Sequence, residues 1–408
     1  MPTKPAINVA IIGLGQVGEK LAKALIRNRR DDANYPLRLV SICDRKKPQD
    51  ITLQDVQFTT EWEQVAQAEN VDVVVEAVGG GSAAYDIASE CLRLGKNLVT
   101  CNRTLLAGHG EILFKIASGA GVGIGMEGAV LGGVPIIRQL INNTGAYTLT
   151  AMNGILNSTS NYILMRMREV GCTVEEATQA AVELGFAHPL VDLDTSGKDA
   201  LFRMTLLRAM AFGVWTDVRR IKPVGLEGIT PADMRLCLQL GYRIKQIATA
   251  TEHHISVAPK LVEETTLMGR THGSMTAVTL HTDEVGPLFM AGDSADADAV
   301  VTGMMHDLLV LARGGKLCLP QVNSSDNKPP VTGVGAFYIR TTPQHKHTLL
   351  GTGKLHLVDE AFDRQSGQVG LLVTGYIGLS SVQNLVGEDI MVMECMTPAL
   401  HQQQLEAA

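Results

Sequence analysis

A chain of 408 residues with 45% apolar and 19% charged residues is long enough for two or three domains around well-buried cores. Its net charge of −7 and its 4% aromatic content exclude a basic, base-stacking nucleic-acid surface, so an anionic substrate needs a local positive site. The seven cysteines form no metal-ligand spacing and predict reduced thiols in a cytoplasmic protein; no apolar run reaches the roughly 18 residues of a membrane span, and the N-terminus has no secretory pattern.

The run Ile7–Ile12 is mostly apolar, as expected of a buried parallel strand. Gly13-Leu14-Gly15-Gln16-Val17-Gly18 follows at once, and then a helical pattern over 19–26. In a strand–turn–helix of this kind Gly13 permits the tight turn, Gly15 lets a pyrophosphate approach, and Gly18 lets the helix pack close to the strand. The amides of the turn and helix start, Gly13 to Gly18 with Gln16 and Val17 between, are the candidate phosphate contacts. The strand Leu37–Cys43 delivers Asp44, 26 residues beyond Gly18, and then Arg45, Lys46 and Lys47. Asp44 suits the ribose hydroxyl of NAD and the three cations suit the 2′-phosphate of NADP, so both cofactors stay open.

A third strand, Val71–Val75, runs into Glu76-Ala77-Val78-Gly79-Gly80-Gly81-Ser82, whose backbone at Val78 and Gly79 is open beside a nicotinamide ribose. A helix over 83–94 ends at Gly95, a strand over 97–101 delivers Asn102 and Arg103 to the ligand-binding edge, and a helix over 110–118 precedes a strand over 122–126. The expected fold class is α/β, with residues 1–138 forming a Rossmann dinucleotide-binding domain.

Residues 139–325 predict an α+β substrate-binding and dimerisation domain. A strand over 147–153 leads to a helix over 158–170, closed by Gly171, and a capping box from Thr173 to Glu176 opens a helix ending at Gly185. The stretch Gly185–Arg203 is unusually polar, with His188, Asp192, Asp194, Asp199 and Arg203. Alone it reads as a solvated loop and an ion-paired helix, Asp199 and Arg203 being four apart. A helix over 198–212, another from Thr230-Pro231, strands over 242–250, 255–261, 274–282 and 286–290, and a helix over 297–311 follow. That last helix is expected to pack back on the first domain, and the strands, with helices on one side, to form a sheet that extends across a dimer. After a linker at 323–330, strands over 335–341 and 370–375 predict a small C-terminal α/β domain, 326–408, with a frayed end at 401–408.

Four segments carry a more specific signal: Asn97–Gly110, Glu127–Ile137, Asn153–Leu164 and Asp192–Ala200. In order and spacing they resemble the homoserine dehydrogenase family. The resemblance implies NAD(P)-dependent interconversion of L-homoserine and L-aspartate 4-semialdehyde, a step toward threonine and methionine, in a homodimer. It places Asp199 and Asp194 on the substrate ammonium, with Thr159 beside the substrate in Ser158-Thr159-Ser160. It also implies a monovalent cation such as Na+ at Glu127, Val130, Gly132 and Val134, bound largely through carbonyl oxygens. Two lysines of the family are Arg103 and Arg203 here, and its substrate-binding Glu aligns with His188. Arginine stays charged and clamps an oxyanion, whereas His188 is able to supply an acid near neutrality. The C-terminal part resembles an ACT domain but lacks that domain's Asp-x-x-Gly-Val loop. Two other readings stand beside this one: a diverged dehydrogenase for another small carboxylated alcohol or aldehyde, and a non-catalytic dinucleotide-binding sensor.

Overall fold

The computed structural model of the chain describes residues 6–51, 55–142, 146–185, 191–294, 296–317, 323–324, 327, 335–375, 378–387 and 390–396. His188, most of the 323–330 linker and the 401–408 end lie outside the described residues. The chain forms two compact units. The first comprises 1–147 with 202–220 and 292–325, the second 148–201 with 221–291 and 326–408.

The first unit holds β1 (Ile7–Ile12), α1 (Gln16–Asp31), β2 (Leu37–Cys43), β3 (Gln57–Thr59), α2 (Trp62–Gln67), β4 (Val73–Glu76), α3 (Ser82–Arg93), β5 (Asn97–Thr100), α4 (Arg103–Ala120), β6 (Ile124–Gly125), α5 (Glu127–Val130) and α6 (Ile136–Asn142). The six strands are parallel in the order β3-β2-β1-β4-β5-β6, a doubly wound sheet whose order reverses between β1 and β4. Alternation along β1 serves both faces. Val9 and Ile11 join the core with Leu21 and Leu25 of α1, while Ala10 and Ile12 join the core with Val65 of α2 and Ile87 of α3. The helix α12 (Ala297–Ala312) adds Val301, Met304 and Leu308 to the first of these cores.

The reading that starts a helix at Gly110 is corrected: α4 begins at Arg103 and runs through Gly108 and Gly110. Asn102 caps it, its side chain accepting from the Leu105 amide at 3.0 Å. Gly110 survives inside the helix because Trp215 leaves no room for a side chain; a Cβ there would meet the indole at 2.4 Å. Trp215 lies on β8 (Val214–Trp215), which pairs in parallel with β13 (Asn323–Ser324).

The second unit begins with β7 (Leu149–Ile155), two residues later than the sequence pattern suggests, followed by α7 (Ser158–Val170), α8 (Val174–Glu183), α9 (Asp192–Thr195) and the start of α10 (Lys198–Phe212). It continues with α11 (Pro231–Gln239), β9 (Tyr242–Ala250), β10 (Ile255–Glu263), β11 (Met275–Thr282) and β12 (Pro287–Asp293). The C-terminal residues add β14 (Gly335–Thr341), α13 (Pro343–Leu350), β15 (His356–Asp363), β16 (Gln368–Gly375), α14 (Leu379–Val386) and β17 (Val392–Met396). This is a βαββαβ unit, with its four strands ordered β17-β14-β16-β15. It is joined edge to edge to the rest through the parallel pair β10–β17, so one nine-stranded sheet runs from β12 to β15. Arg235 of α11 pairs with both oxygens of Asp363 at 2.9 and 2.8 Å, and the Tyr338 hydroxyl donates to Asp233 at 2.9 Å. The strands of 139–325 pack α7, α8 and α11 against one face, whereas the C-terminal strands carry helices on both. Leu236 and Cys237 of α11 pack with Tyr338 and Leu372, while Leu349 of α13 and Val382 of α14 pack on the alternate residues Phe337, Ile339, Leu371 and Val373.

A buried polar tie crosses this core. Lys245 on β9 is 2% exposed, and its ammonium donates to Asn161 Oδ1 at 2.8 Å and to the Thr271 carbonyl. Burial, with the charge of Arg243 adding to it, pushes the Lys245 pKa down to about 7. The unfolded chain therefore binds more protons than the folded one between about pH 7 and 10.5, and stability on this account rises with pH across that window and is flat below it. Replacing Lys245→Met should flatten this alkaline rise, read as the urea midpoint at several pH values. Equal slopes in the variant and the wild type would show that the lysine is not the source.

Candidate active site

The turn after β1 is shaped by three glycines in three different surroundings. Gly13 has φ +98°, and a Cβ there would lie 2.6 Å from the Ala77 carbonyl, where β4 ends beside β1. At Gly18 a Cβ would meet the Gly13 carbonyl at 2.0 Å, whereas Gly15 has nothing within 4 Å and leaves its backbone open. The three glycines thus do three different things, as the spacing predicts. Asp44 accepts from the Leu14 amide at 2.7 Å and from the Lys46 amide at 3.1 Å, so its carboxylate braces the glycine turn. Arg45, Lys46 and Lys47 are exposed beside it.

Across the switch point, Glu76 ends β4 fully buried. Its carboxylate accepts from the Val78 and Gly79 amides at 2.9 and 3.3 Å and from the Thr100 hydroxyl at 2.6 Å. Three donors offset the cost of burying a carboxylate. Thr100 in turn accepts from the Asn102 amide at 2.9 Å, and Asn102 Nδ2 donates to the Gly80 carbonyl at 3.1 Å. The chain of bonds sets the shape of the 78–81 turn and the start of α4, where Arg103 is the first helical residue, half-buried. Asn102 stands at the strand edge where the sequence puts it, whereas the bracing role of Glu76 is one that spacing arguments miss. The available signal was a charged residue ending an otherwise apolar strand just before three glycines.

The segment Glu127 to Val134 is buried against α12 except at Gly133. The Glu127 carboxylate accepts from the Ile137 and Arg138 amides at 2.8 and 3.0 Å, and so caps α6. Burial pushes its pKa up to about 6 despite those bonds. Arg203 on α10 is 7% exposed, and its guanidinium donates to the Val130 carbonyl.

In the second unit the sequence-predicted acids do come together. Asn157 caps α7, its Oδ1 accepting from the Ser160 amide at 2.7 Å. An amide N–H only donates, so the Asn157 oxygen must face it, and the Nδ2 group is turned outward. There it donates to Asp194 Oδ1 at 2.6 Å and to Asp199 Oδ2 at 2.7 Å. Two carboxylates from α9 and the first turn of α10 are thereby gathered at the N-terminus of α7, beside buried Thr159. Gly197 between them, with φ +79°, turns the chain where Val257 and Gln246 approach within 3.2 Å of an added Cβ. Asn157 lies inside the 153–164 segment, and its position just before a helix is the signal that marks it as a cap. Among the described residues no group of His, Cys, Asp and Glu could hold a metal ion.

Two family profiles match the chain: "Homoserine dehydrogenase, NAD binding domain" over 13–127 and "Homoserine dehydrogenase" over 135–309. The chain is 32% identical over 314 residues to the homoserine dehydrogenase of Pseudomonas aeruginosa, covering 75% of this chain and 72% of that protein. The chain belongs to the homoserine dehydrogenase family. The Helicobacter pylori homoserine dehydrogenase is 30% identical over 319 residues, covering 76% of this chain and 75% of that one. The crystal structure of a homoserine dehydrogenase from Thiobacillus denitrificans superposes with a TM-score of 0.85 at 28% identity, over 96% of this chain and 98% of that one. The chain is thus an NAD(P)-dependent oxidoreductase of homoserine dehydrogenase type, acting on a CH–OH group. A hyperthermophilic archaeal homoserine dehydrogenase crystallised with NADPH shares the fold, with a TM-score of 0.65. No helix among the described residues is long and apolar enough to cross a membrane.

Asn157 does two jobs, and its loss should be felt as both. Removing an asparagine cap costs about 1 kcal/mol, and removing the shared donor of a buried carboxylate costs roughly 1–3 kcal/mol more. Asn157→Ala should therefore lower stability by about 2–4 kcal/mol in urea unfolding at neutral pH. Asn157→Asp keeps an acceptor for the Ser160 amide yet adds a third carboxylate, and should be no more stable than the alanine variant. A fully stable Asn157→Asp would mean that the two aspartates do not depend on this amide.

Proposed function

We propose that the protein interconverts L-homoserine and L-aspartate 4-semialdehyde, with residues 1–138 as the cofactor domain, 139–325 as the substrate and dimerisation domain and 326–408 as an ACT-like appendage. The observation that carries this reading is the pair of carboxylates, Asp194 and Asp199, held by one Asn157 amide group at the start of α7. Two carboxylates suit an ammonium, and the positive end of a helix suits a carboxylate. An amino-acid zwitterion needs both, and Thr159 in the first turn of α7 adds a hydroxyl at the same helix end.

The residues at the β1–β4 switch point fit a dinucleotide. Gly13, Gly15, Gln16, Val17 and Gly18 would hold the pyrophosphate, Val78 and Gly79 the nicotinamide ribose, and Arg45 the adenosine end. When bound, the nicotinamide supplies or accepts the hydride. The carboxylate of Asp44 is engaged by the Leu14 and Lys46 amides, which supports NADP, bound through Arg45 and its neighbours, over NAD. Arg103, at the head of α4, would steady the reacting oxygen as a fixed charge. Arg203 cannot lend a proton, so its part is to hold charge and position. His188 is the proposed proton carrier for the alkoxide, from a stretch outside the described residues. A cytoplasmic homodimer built on the nine-stranded sheet completes the proposal, and sedimentation returning only monomer would remove that part.

Arginine at positions 103 and 203 is also what favours a second reading, a dehydrogenase for a different small carboxylated alcohol. Purified protein with L-homoserine and NADP+ should form the reduced cofactor, and Asp199→Asn should raise KM for homoserine at least tenfold while leaving NADPH binding intact. NADPH binding without turnover of homoserine would reject the proposed substrate, and turnover of another hydroxy acid would support the second reading. In the same assay Arg45→Ala should raise KM for NADP+ more than KM for NAD+. An equal change in both would show that Arg45 does not read the 2′-phosphate.

A further inference from the structure

The resemblance to homoserine dehydrogenases implies a monovalent cation among the carbonyls of Glu127, Val130, Gly132 and Val134, and the residues present do not fit one. The Val130 carbonyl accepts from the Arg203 guanidinium. The Val134 carbonyl accepts from the Ile136 amide at 2.8 Å. The Gly132 carbonyl is covered by α12 so closely that a Cβ on Gly303 would lie 2.6 Å from it. Three of the four carbonyls therefore already carry a contact within the chain, and the charged one, at Val130, is what excludes a cation; a carbonyl has two lone pairs, so the others keep one for a cation once the guanidinium is removed. The fourth residue, Glu127, is locked on both sides: its carboxylate by the Ile137 and Arg138 amides, and its own amide by Asp307 Oδ2 at 2.9 Å.

We propose that the Arg203 guanidinium stands in for the monovalent cation, making this turn a site whose positive charge is built into the chain. The guanidinium carries the same unit charge as Na+ or K+, presents up to five donors in a fixed plane, and stays charged at any working pH. It is held on a helix and is 7% exposed, so it needs no exchange with solvent to hold the turn. A second cation about 4 Å from it, at an effective dielectric near 20, would bind about a thousandfold more weakly than to an uncharged ring of carbonyls. The consequence is a turn that keeps its shape at any salt composition. Arg203 here acts as a positioning residue for the 127–134 turn, separate from any contact it makes with substrate.

The inference is independent of which alcohol is oxidised, and its test reads stability rather than turnover. Thermal unfolding of the full chain is measured in NaCl, KCl and choline chloride at matched ionic strength. The wild-type midpoint should be the same in all three. Arg203→Met, which keeps the apolar stem and removes the charge, uncovers the Val130 carbonyl and should be stabilised by Na+ or K+ in a saturable way that choline does not reproduce. Arg203→Gln serves where the methionine variant does not fold. Saturable, cation-specific stabilisation of the wild type would overturn the proposal. So would neutral variants that fold and gain nothing from either cation, because the guanidinium would then not be occupying a cation's place.

Discussion

Two aspartates brought within reach of one amide repel each other, and the second unit is built so that this repulsion is answered. Asn157 answers it with both hydrogens of a single Nδ2 group, and it is able to do so because its oxygen is already fixed by the Ser160 amide. The start of α7 therefore does more than begin a helix. It ties the end of β7 to α9 and α10, and its N-terminal charge adds to the favourable field on the carboxylates. Removing the asparagine would take one donor from each of the two aspartates.

The first unit solves a different problem with the same economy. Backbone must approach backbone where β1 and β4 diverge, so Gly13 sits against Ala77 and Gly18 against Gly13. The sheet supplies the divergence, but it does not set the form of the loops. Glu76 does that, buried and bonded to two loop amides and to Thr100. A buried carboxylate is costly unless fully bonded, which is why it makes a rigid brace once it is. Asp44 does for the Gly13–Gly18 turn what Glu76 does for the next one. An acid whose oxygens brace a turn is less available to a ribose, and this bears on cofactor choice more directly than its offset from the last glycine.

Much of this architecture was legible in the residues. The strand–glycine–helix pattern, the apolar strands of the parallel sheet and the capping box at Thr173 are local signals with local causes, and they appear in place. The start of α4 was missed because Gly108 and Gly110 interrupt the helical pattern, and the glycine at 110 is explained by Trp215, about a hundred residues away in sequence. Strand β15 was missed because it is an exposed edge with acids on it and so lacks clean alternation. At the site, Asp194 and Asp199 were legible as acids, but their common donor was not. A hydrogen bond between residues some forty apart leaves no periodic trace in one sequence.

The two arginines are where family membership and local chemistry pull apart. A lysine in a dry pocket gives up its proton readily, as Lys245 illustrates in this same chain, its pKa pushed down to about 7 by burial. An arginine placed under the same pressure keeps its proton and finds an acceptor instead, and Arg203 finds the Val130 carbonyl. A replacement of Lys by Arg therefore converts a proton donor into a fixed charge, and a fixed charge is worth more to structure than to proton transfer. In the proposed function the step that a lysine would perform is assigned to His188. Fixed positive charge on α10 is thus spent on structure, with Arg203 holding the 127–134 turn at the Val130 carbonyl.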